Sequence, residues 1–288
     1  MKKENIAVLL TCHNRKNKTV ACLESLFRAK IPSDYTVDVY LTDDGSTDGT
    51  YQTVSELFPE VVLIKGNGQL FWAGGMRLAW NTAIIKKDYD AFLLLNDDVI
   101  LYPDFFLNLI ETDINAYADT GKKGIYSGAT VDSTNGRITY GGSKVYNYLF
   151  VVRLRMLSPL KKPQRCQITN ANILWVSKDV VDKIGIFDNH FTHGIADYDY
   201  SLQASRKKIP VLLAPGICGE CADDHGKNWR SNSYSLKERI AYLKSPKGLA
   251  YKEYLYYIGK HFPLFLPYSY IMLWMKTLFP LIWERVKN

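Results

Sequence analysis

Four short apolar runs, Ile6 to Thr11, Val37 to Thr42, Val61 to Ile64 and Ala91 to Leu95, punctuate the first third of the chain, and longer amphipathic stretches separate them. Runs this short suit strands buried on both faces better than helices. The stretches between them read as helices: Lys18 to Ala29, a segment capped at Thr47 or Asp48 that runs to Leu57, Gly75 to Lys86, and one opened by Pro103 and Asp104. This alternation predicts an α/β fold with a mostly parallel sheet covered by helices. In open sheets of that kind ligands bind beyond the carboxyl ends of the strands. Three polar clusters fall there: Thr11-Cys-His-Asn-Arg15 after the first strand, Asp43-Asp-Gly-Ser-Thr-Asp48 after the second, and Asn96-Asp-Asp98 after the fourth.

Composition narrows the class. The 288 residues are 47% apolar and 23% charged, which excludes collagenous, low-complexity and fully disordered chains. Five cysteines, an odd number scattered along the chain, make no disulfide framework and point to a reducing compartment. The N-terminal MKKENIAVLLTCHNR has an apolar run too short for a signal peptide and reads as a first strand. Phe262 to Trp283 is largely apolar, but Lys276 and the prolines at 263, 267 and 280 make it a poor spanning helix, so an in-plane membrane contact is expected. The net charge of +7 is not spread evenly. Residues 226–288 hold 11 Lys or Arg against 3 Glu, net +8, and residues 1–225 are close to neutral at 25 basic and 26 acidic. That distribution argues against a nucleic-acid partner. A basic, aromatic tail suits the surface of an anionic membrane, or else packs on the rest of the chain or on a second subunit.

From Gly128 the pattern changes. Gly128 to Gly142 reads as short strands joined at Asn135-Gly136, Lys144 to Arg165 as a loop over the site, and Asn172 to Val176 as a strand. A short helix from Lys178, an irregular segment rich in His and Asp, and a helix from Asp197 to Lys207 follow, after which the chain is helical and aromatic.

Paired carboxylates at a strand end, as in Asp97-Asp98, suit a hard divalent cation that also grips a diphosphate, or else begin a turn and cap the next helix. Asp44, in Asp43-Asp44-Gly45-Ser46, is placed to accept the imide N–H of a pyrimidine, unless the turn is purely structural. His13 could stack on a base, and Asn14 and Arg15 could meet ribose or phosphate. In Trp72-Ala-Gly-Gly-Met76, Gly74 and Gly75 would let backbone approach a sugar nucleotide, with Trp72 as a wall and Arg77 facing phosphate; the other reading is a tight helix start around a core tryptophan. Asp188, His193 and Asp199 are candidate acceptor contacts. Cys218 and Cys221 with His225 lack a clear fourth zinc ligand, and inert buried thiols are the better reading.

Jointly these segments resemble the GT-A fold of family 2 glycosyltransferases. The resemblance lies in Thr11 to Arg15, Thr42-Asp-Asp-Gly-Ser-Thr-Asp-Gly-Thr50, Gly66-Asn-Gly-Gln-Leu-Phe-Trp-Ala-Gly-Gly-Met-Arg77 and Asn96-Asp-Asp-Val99. It continues in Ile184-Gly-Ile-Phe-Asp188, His193-Gly-Ile-Ala-Asp-Tyr-Asp199 and His225-Gly226. It implies a Rossmann-like nucleotide-binding α/β/α sandwich over residues 1–226, with a nucleotide-sugar half (1–127) and an acceptor half (128–226), and a C-terminal helical extension over 227–288. It further implies that Asp44 reads uracil or thymine, that Thr11, His13 and Arg15 line the nucleoside pocket, and that Asp97 lies against ribose or donor sugar. Asp98 and His225 would hold Mn2+ or Mg2+, and Asp197 would be the general base, although Ala196 stands where relatives usually have Glu.

Within the family the chain looks most like bacterial rhamnosyltransferase-type enzymes of surface polysaccharide synthesis. That implies inverting transfer from dTDP-rhamnose or a UDP-sugar to a saccharide or lipid-linked acceptor. The expected setting is cytoplasmic, peripheral at the inner face of the inner membrane, with self-association through the tail a further expectation. Two rivals remain. A sugar nucleotidyltransferase would carry a Gly-rich basic loop after the first strand, where this chain has Cys12-His-Asn-Arg-Lys16. A non-catalytic membrane adaptor would leave the Asp-rich strand ends without a purpose.

Overall fold

The computed structural model describes residues 3–148, 151–223 and 234–281. The first part alternates as β1 (Glu4–Cys12), α1 (Lys16–Phe27), β2 (Tyr35–Asp43), α2 (Thr50–Leu57), β3 (Val62–Lys65), α3 (Phe71–Lys86) and β4 (Ala91–Leu95). Then come β5 (Ile100–Leu101), α4 (Phe105–Thr120), β6 (Ile125–Val131), β7 (Ile138–Tyr140), β8 (Gly142–Tyr148), β9 (Val151–Met156), β10 (Gln164–Arg165), β11 (Ile168–Thr169) and β12 (Ile173–Ser177). The remainder is α5 (Lys178–Ile184), α6 (Ala196–Arg206), β13 (Val211–Glu220), α7 (Leu236–Lys244), α8 (Tyr251–His261), a 3-10 turn (Pro263–Phe265) and α9 (Leu266–Leu278).

The main sheet runs β10-β13-β6-β12-β4-β1-β2-β3, with β5 and β7 added at its margins. β1 pairs in parallel with β2 and β4, and β2 with β3. β12 lies antiparallel between β4 and β6, and β13 is parallel to β6. Successive side chains of a strand point to opposite faces, so β1 feeds two cores at once. Ile6, Val8 and Leu10 meet Leu23, Leu26, Phe105 and Phe106 in one cluster. Ala7 and Leu9 meet Met76, Trp80, Phe187 and Tyr200 in the other. Helices on both faces thus bury the sheet, and the parallel strands β1, β2 and β4 carry their polar clusters at their carboxyl ends, along one edge of the molecule.

Lys144 to Arg165 is not a loop over the site. Most of it is a hairpin, β8 with β9, paired from Ser143↔Met156 to Tyr148↔Val151, and β11 extends it to three strands. The residue order alternates with period two, and Val145 and Val152 pack against the second core, while Arg153 to Met156 are all exposed. The C-terminal helices are bound to the sheet-bearing part, since α8 supplies Tyr257 and Ile258 to the second core. No helix among the described residues is long and apolar enough to cross a membrane.

Candidate functional site

Parallel pairing brings the ends of β1 and β2 level, with Cys12 opposite Asp43 and the Asp44 N–H donating to the Cys12 carbonyl at 2.9 Å. Asn14 follows in the left-handed region (φ 52°), which Asn tolerates better than most residues. Its N–H donates to Ser46 Oγ (2.9 Å) and its side-chain oxygen accepts the Thr47 N–H (2.7 Å). Its amide nitrogen faces His13 Nε2 at 3.2 Å, while His13 Nδ1 lies 2.7 Å from the Asp44 carbonyl. That network assigns the His13 proton to Nδ1. Asn14 is therefore the clamp between the two loops, and its exposed amide keeps a second N–H. His13 is exposed and held edge-on by its nitrogens.

Asp44 is buried, and its two oxygens accept the N–H groups of Gly68 (2.8 Å) and Phe71 (2.9 Å). Gly66 must be glycine for this, because a Cβ there would lie 2.6 Å from Asp44 Oδ1. Each carboxylate oxygen keeps a second acceptor position, so the group remains able to accept one more N–H. Asp43 caps the turn, accepting the Ser46 N–H at 2.8 Å.

At the end of β4 both carboxylates converge on one cation. Arg15 Nη1 lies 3.3 Å from Asp97 Oδ1 and 2.6 Å from Asp98 Oδ2, and Lys18 Nζ is 3.8 Å from the same Asp98 oxygen. Burial pushes the Asp97 carboxyl up to about 6; Arg15 opposes the rise and Asp98 adds to it. Thr19, one turn along α1 from Arg15, donates to Asp97 Oδ2 at 3.2 Å. Thr19 and Lys18 escape sequence reasoning, although the i+3 and i+4 spacing from Arg15 is the available signal. Two hard oxygen donors facing one positive centre fit a divalent cation whose remaining positions a diphosphate and water would fill. His225 lies outside the described residues, and among these no group of three or more His, Cys, Asp or Glu is placed to hold a metal.

The cysteines do not assemble a zinc set among the described residues. Cys218 is wholly buried beside Gly128, its thiol pushed up to about 12 by burial. Cys221 instead reaches toward Asp98 Oδ1 at 3.7 Å and receives the Asn172 amide at 3.5 Å. All five cysteines are buried thiols outside any disulfide.

The opening of α3 forms the next wall. Trp72 Nε1 donates to Asn96 Oδ1 at 2.8 Å, its ring lies 5.5 Å from that of Phe187, and its backbone N–H points to His193 Nδ1 at 3.4 Å. Burial pushes the His193 imidazole down, assisted by Lys247 and Arg15, so it stays neutral near pH 7. Gly75 has a packing role in place of an approach to ligand: a Cβ there would sit 2.0 Å from Thr11 Oγ1. Thr11 is accordingly buried under α3 and does not line an open pocket. Gly74 is also buried, with a Cβ position 3.3 Å from that of Leu70. Arg77 is half-buried and anchored within the chain. Its Nη1 donates to the carbonyls of Asp188 (3.1 Å) and Phe191 (2.6 Å), which ties α3 to the loop before α6.

Asp197 opens α6. Its Oδ2 accepts the Ala171 N–H at 3.0 Å and its Oδ1 the Tyr198 N–H at 2.9 Å. Burial pushes its carboxyl up to about 6 against those two bonds. Asn172, next to Ala171, accepts the Asn96 N–H at 3.1 Å, so Asp197, at the start of α6, is bonded to the segment that lies beside the end of β4.

The two other carboxylates expected to meet an acceptor are structural. Asp199 is buried and holds Lys260 Nζ (2.8 Å) and His261 Nε2 (2.7 Å). Asp188 accepts from the His190 N–H (3.0 Å), Tyr256 OH (3.0 Å) and Lys260 (3.1 Å), and these bonds hold it well below the usual carboxylate range despite partial burial. Glu253 completes the clamp by accepting both the N–H and the hydroxyl of Thr192. One face of α8 thereby fixes the loop that carries His193 and leads into Asp197.

A model of glycosyl transferase family 2 matches residues 7–169, more than half the chain. Among curated proteins, the 4,4'-diaponeurosporenoate glycosyltransferase of Staphylococcus aureus strain bovine RF122 / ET3-1 is 23% identical over 221 residues, 74% of this chain and 55% of the relative. The same enzyme from strain USA300 is 23% identical over 219 residues, with coverages of 74% and 54%. The chain thus spans about half the length of these relatives. Among solved structures, a mannosyltransferase from Pyrobaculum calidifontis in complex with GDP-Man and Mn2+ superposes with a TM-score of 0.53 at 14% identity, covering 100% of this chain and 76% of the other. That likeness establishes the shared fold.

Proposed function

The chain belongs to glycosyl transferase family 2, and from that premise we propose that it moves a sugar from a nucleoside-diphosphate sugar to a saccharide or lipid-linked saccharide in one inverting displacement. The observation that carries this reading is the convergence of Asp97 and Asp98 on a single cation position, with the buried Asp197 bonded to the segment beside them. The pair would hold Mn2+ or Mg2+, and the bound cation would supply charge neutralisation to the departing diphosphate. Arg15 and Lys18 already occupy that field and would follow the developing negative charge. Asp197, its basicity raised by burial, takes the proton of the attacking hydroxyl. Its two backbone N–H bonds hold the carboxylate in one orientation without consuming all its acceptor positions. Asp44 presents a fixed carboxylate to the base of the nucleotide.

The resemblance to rhamnosyltransferases of surface polysaccharide synthesis makes dTDP-rhamnose the first donor to test, and UDP-hexoses the second. GDP-sugars belong in the same panel because the superposed mannosyltransferase binds GDP-Man. Five reduced, buried cysteines suit a cytoplasmic setting. The test is a nucleotide-release assay over that panel with Mn2+ or Mg2+ and with EDTA, and with the anomeric configuration of the product read by NMR. Metal-dependent release of UDP or dTDP with inversion supports the reading. Pyrophosphate release from a nucleoside triphosphate would overturn it in favour of a nucleotidyltransferase.

A further inference from the structure

We propose that α9, the turn before it and the basic end of α6 form one docking surface for an anionic membrane.

The helix α9 is apolar on the side that faces water. Tyr268, Ile271, Met275 and Leu278, spaced three, four and three apart, are all exposed, and Leu264 in the preceding turn is 85% exposed. The opposite side turns Leu273 and Thr277 inward. A helix that only packed on its own chain would hide such a stripe. The stripe also sits in a stretch without acid, since residues 254–281 contain no Asp or Glu.

Tertiary structure then brings a cationic rim to it from a distant part of the chain. Arg206, at the end of α6, donates to the His261 carbonyl, and its guanidinium lies 5.4 Å from the centre of the Phe262 ring. Arg206, Phe262, Leu264 and Phe265 share the wall of a cavity of about 250 Å³. Lys207 and Lys208 continue the rim, and all three basic residues are exposed. An apolar stripe beside Arg-Lys-Lys is complementary to acyl chains beneath anionic headgroups. A second copy is the poorer occupant, because it would set two net-positive tails together.

The same helix carries the chemistry. Asp197 and Arg206 are nine residues apart on α6, which is about 14 Å along the axis. The basic end of α6 therefore lies at the amino-end edge of the sheet, where β13 starts level with β6, and a membrane held there leaves the strand ends with the polar clusters uncovered.

The experiment is flotation of the full chain with phosphatidylcholine vesicles, with and without phosphatidylglycerol. Wild type is expected to float with the anionic vesicles alone. Lys207→Gln with Lys208→Asn, the latter chosen because Lys208 has φ 58°, should weaken partition on the order of 30-fold for two lost charges. Ile271→Asp should abolish flotation, and both variants should keep wild-type binding of nucleoside diphosphate with Mn2+. Absence of flotation in a chain that still binds nucleotide would overturn this proposal alone, as would flotation indifferent to both variants. A dimer in sedimentation that Ile271→Asp makes monomeric, without vesicle binding, would assign the face to a second copy. A chain that floats as predicted but binds no nucleotide supports the surface and refutes the glycosyl-transfer reading instead.

Discussion

Replacing Asp197 by Asn should lower activity and at the same time change stability in a pH-dependent way, and the structure sets both magnitudes. Removing a general base costs about 10²- to 10⁴-fold in turnover. The stability effect follows from burial, which raises the carboxyl from 3.8 to about 6 and makes its ionised form about 3 kcal/mol less favourable in the folded chain than in the unfolded one. Because the folded state binds this proton more tightly, the group's favourable contribution is complete below about pH 4 and is lost as pH rises through about 6. An amide carries no charge, so the variant escapes that loss. It accepts only one of the two N–H groups, Ala171 or Tyr198, and forfeits about 1–3 kcal/mol for the other at every pH.

The Asp197→Asn variant should therefore be less stable than wild type near pH 4 and gain on it by about 3 kcal/mol between about pH 4 and pH 8. Urea unfolding at a series of pH values measures this, alongside nucleotide release at saturating donor. Wild-type kcat/KM should fall tenfold per pH unit below about pH 6. Turnover within tenfold of wild type would remove Asp197 from catalysis. A stability difference that stays constant with pH would refute the burial argument even if activity fell.

The other expectations concern neighbouring parts of the same frame. EDTA should abolish nucleotide release and Mn2+ or Mg2+ restore it, while Asp98→Asn should lower the rate on the order of 10²-fold or more at saturating metal; an EDTA-insensitive rate would exclude the cation. Gly75→Ala must displace Thr11 and should cost about 1–3 kcal/mol, read as a lower thermal midpoint. Asp199→Ala leaves Lys260 and His261 without their shared carboxylate and should destabilise by about 3–5 kcal/mol, seen in urea unfolding. If Asp199 met the acceptor instead, the acceptor KM would rise without that loss of stability.

The alternation of short apolar runs with amphipathic stretches was enough to place β1 to β4, the helices between them and the three polar strand ends, because buried parallel strands and their covering helices leave their periods directly in the residue order. Asp97-Asp98 and Asp197 were legible as candidates for a related reason: carboxylates that break an apolar run or open a helix stand out locally. The hairpin of β8 and β9 was hidden by the lack of a strong turn signal, although Val152-Arg-Leu-Arg-Met156 alternates.

What only the tertiary structure decided is which polar groups are already taken. Arg77 looked wholly free for phosphate until carbonyls 111 and 114 residues away claimed its Nη1. Asp188 and Asp199 looked like acceptor contacts until Lys260 and His261 arrived from α8, 61 to 72 residues further on. Residue order records what a segment prefers over one or two turns, whereas the partner of a buried charge is chosen by packing between distant elements, where leaving it unpaired costs most.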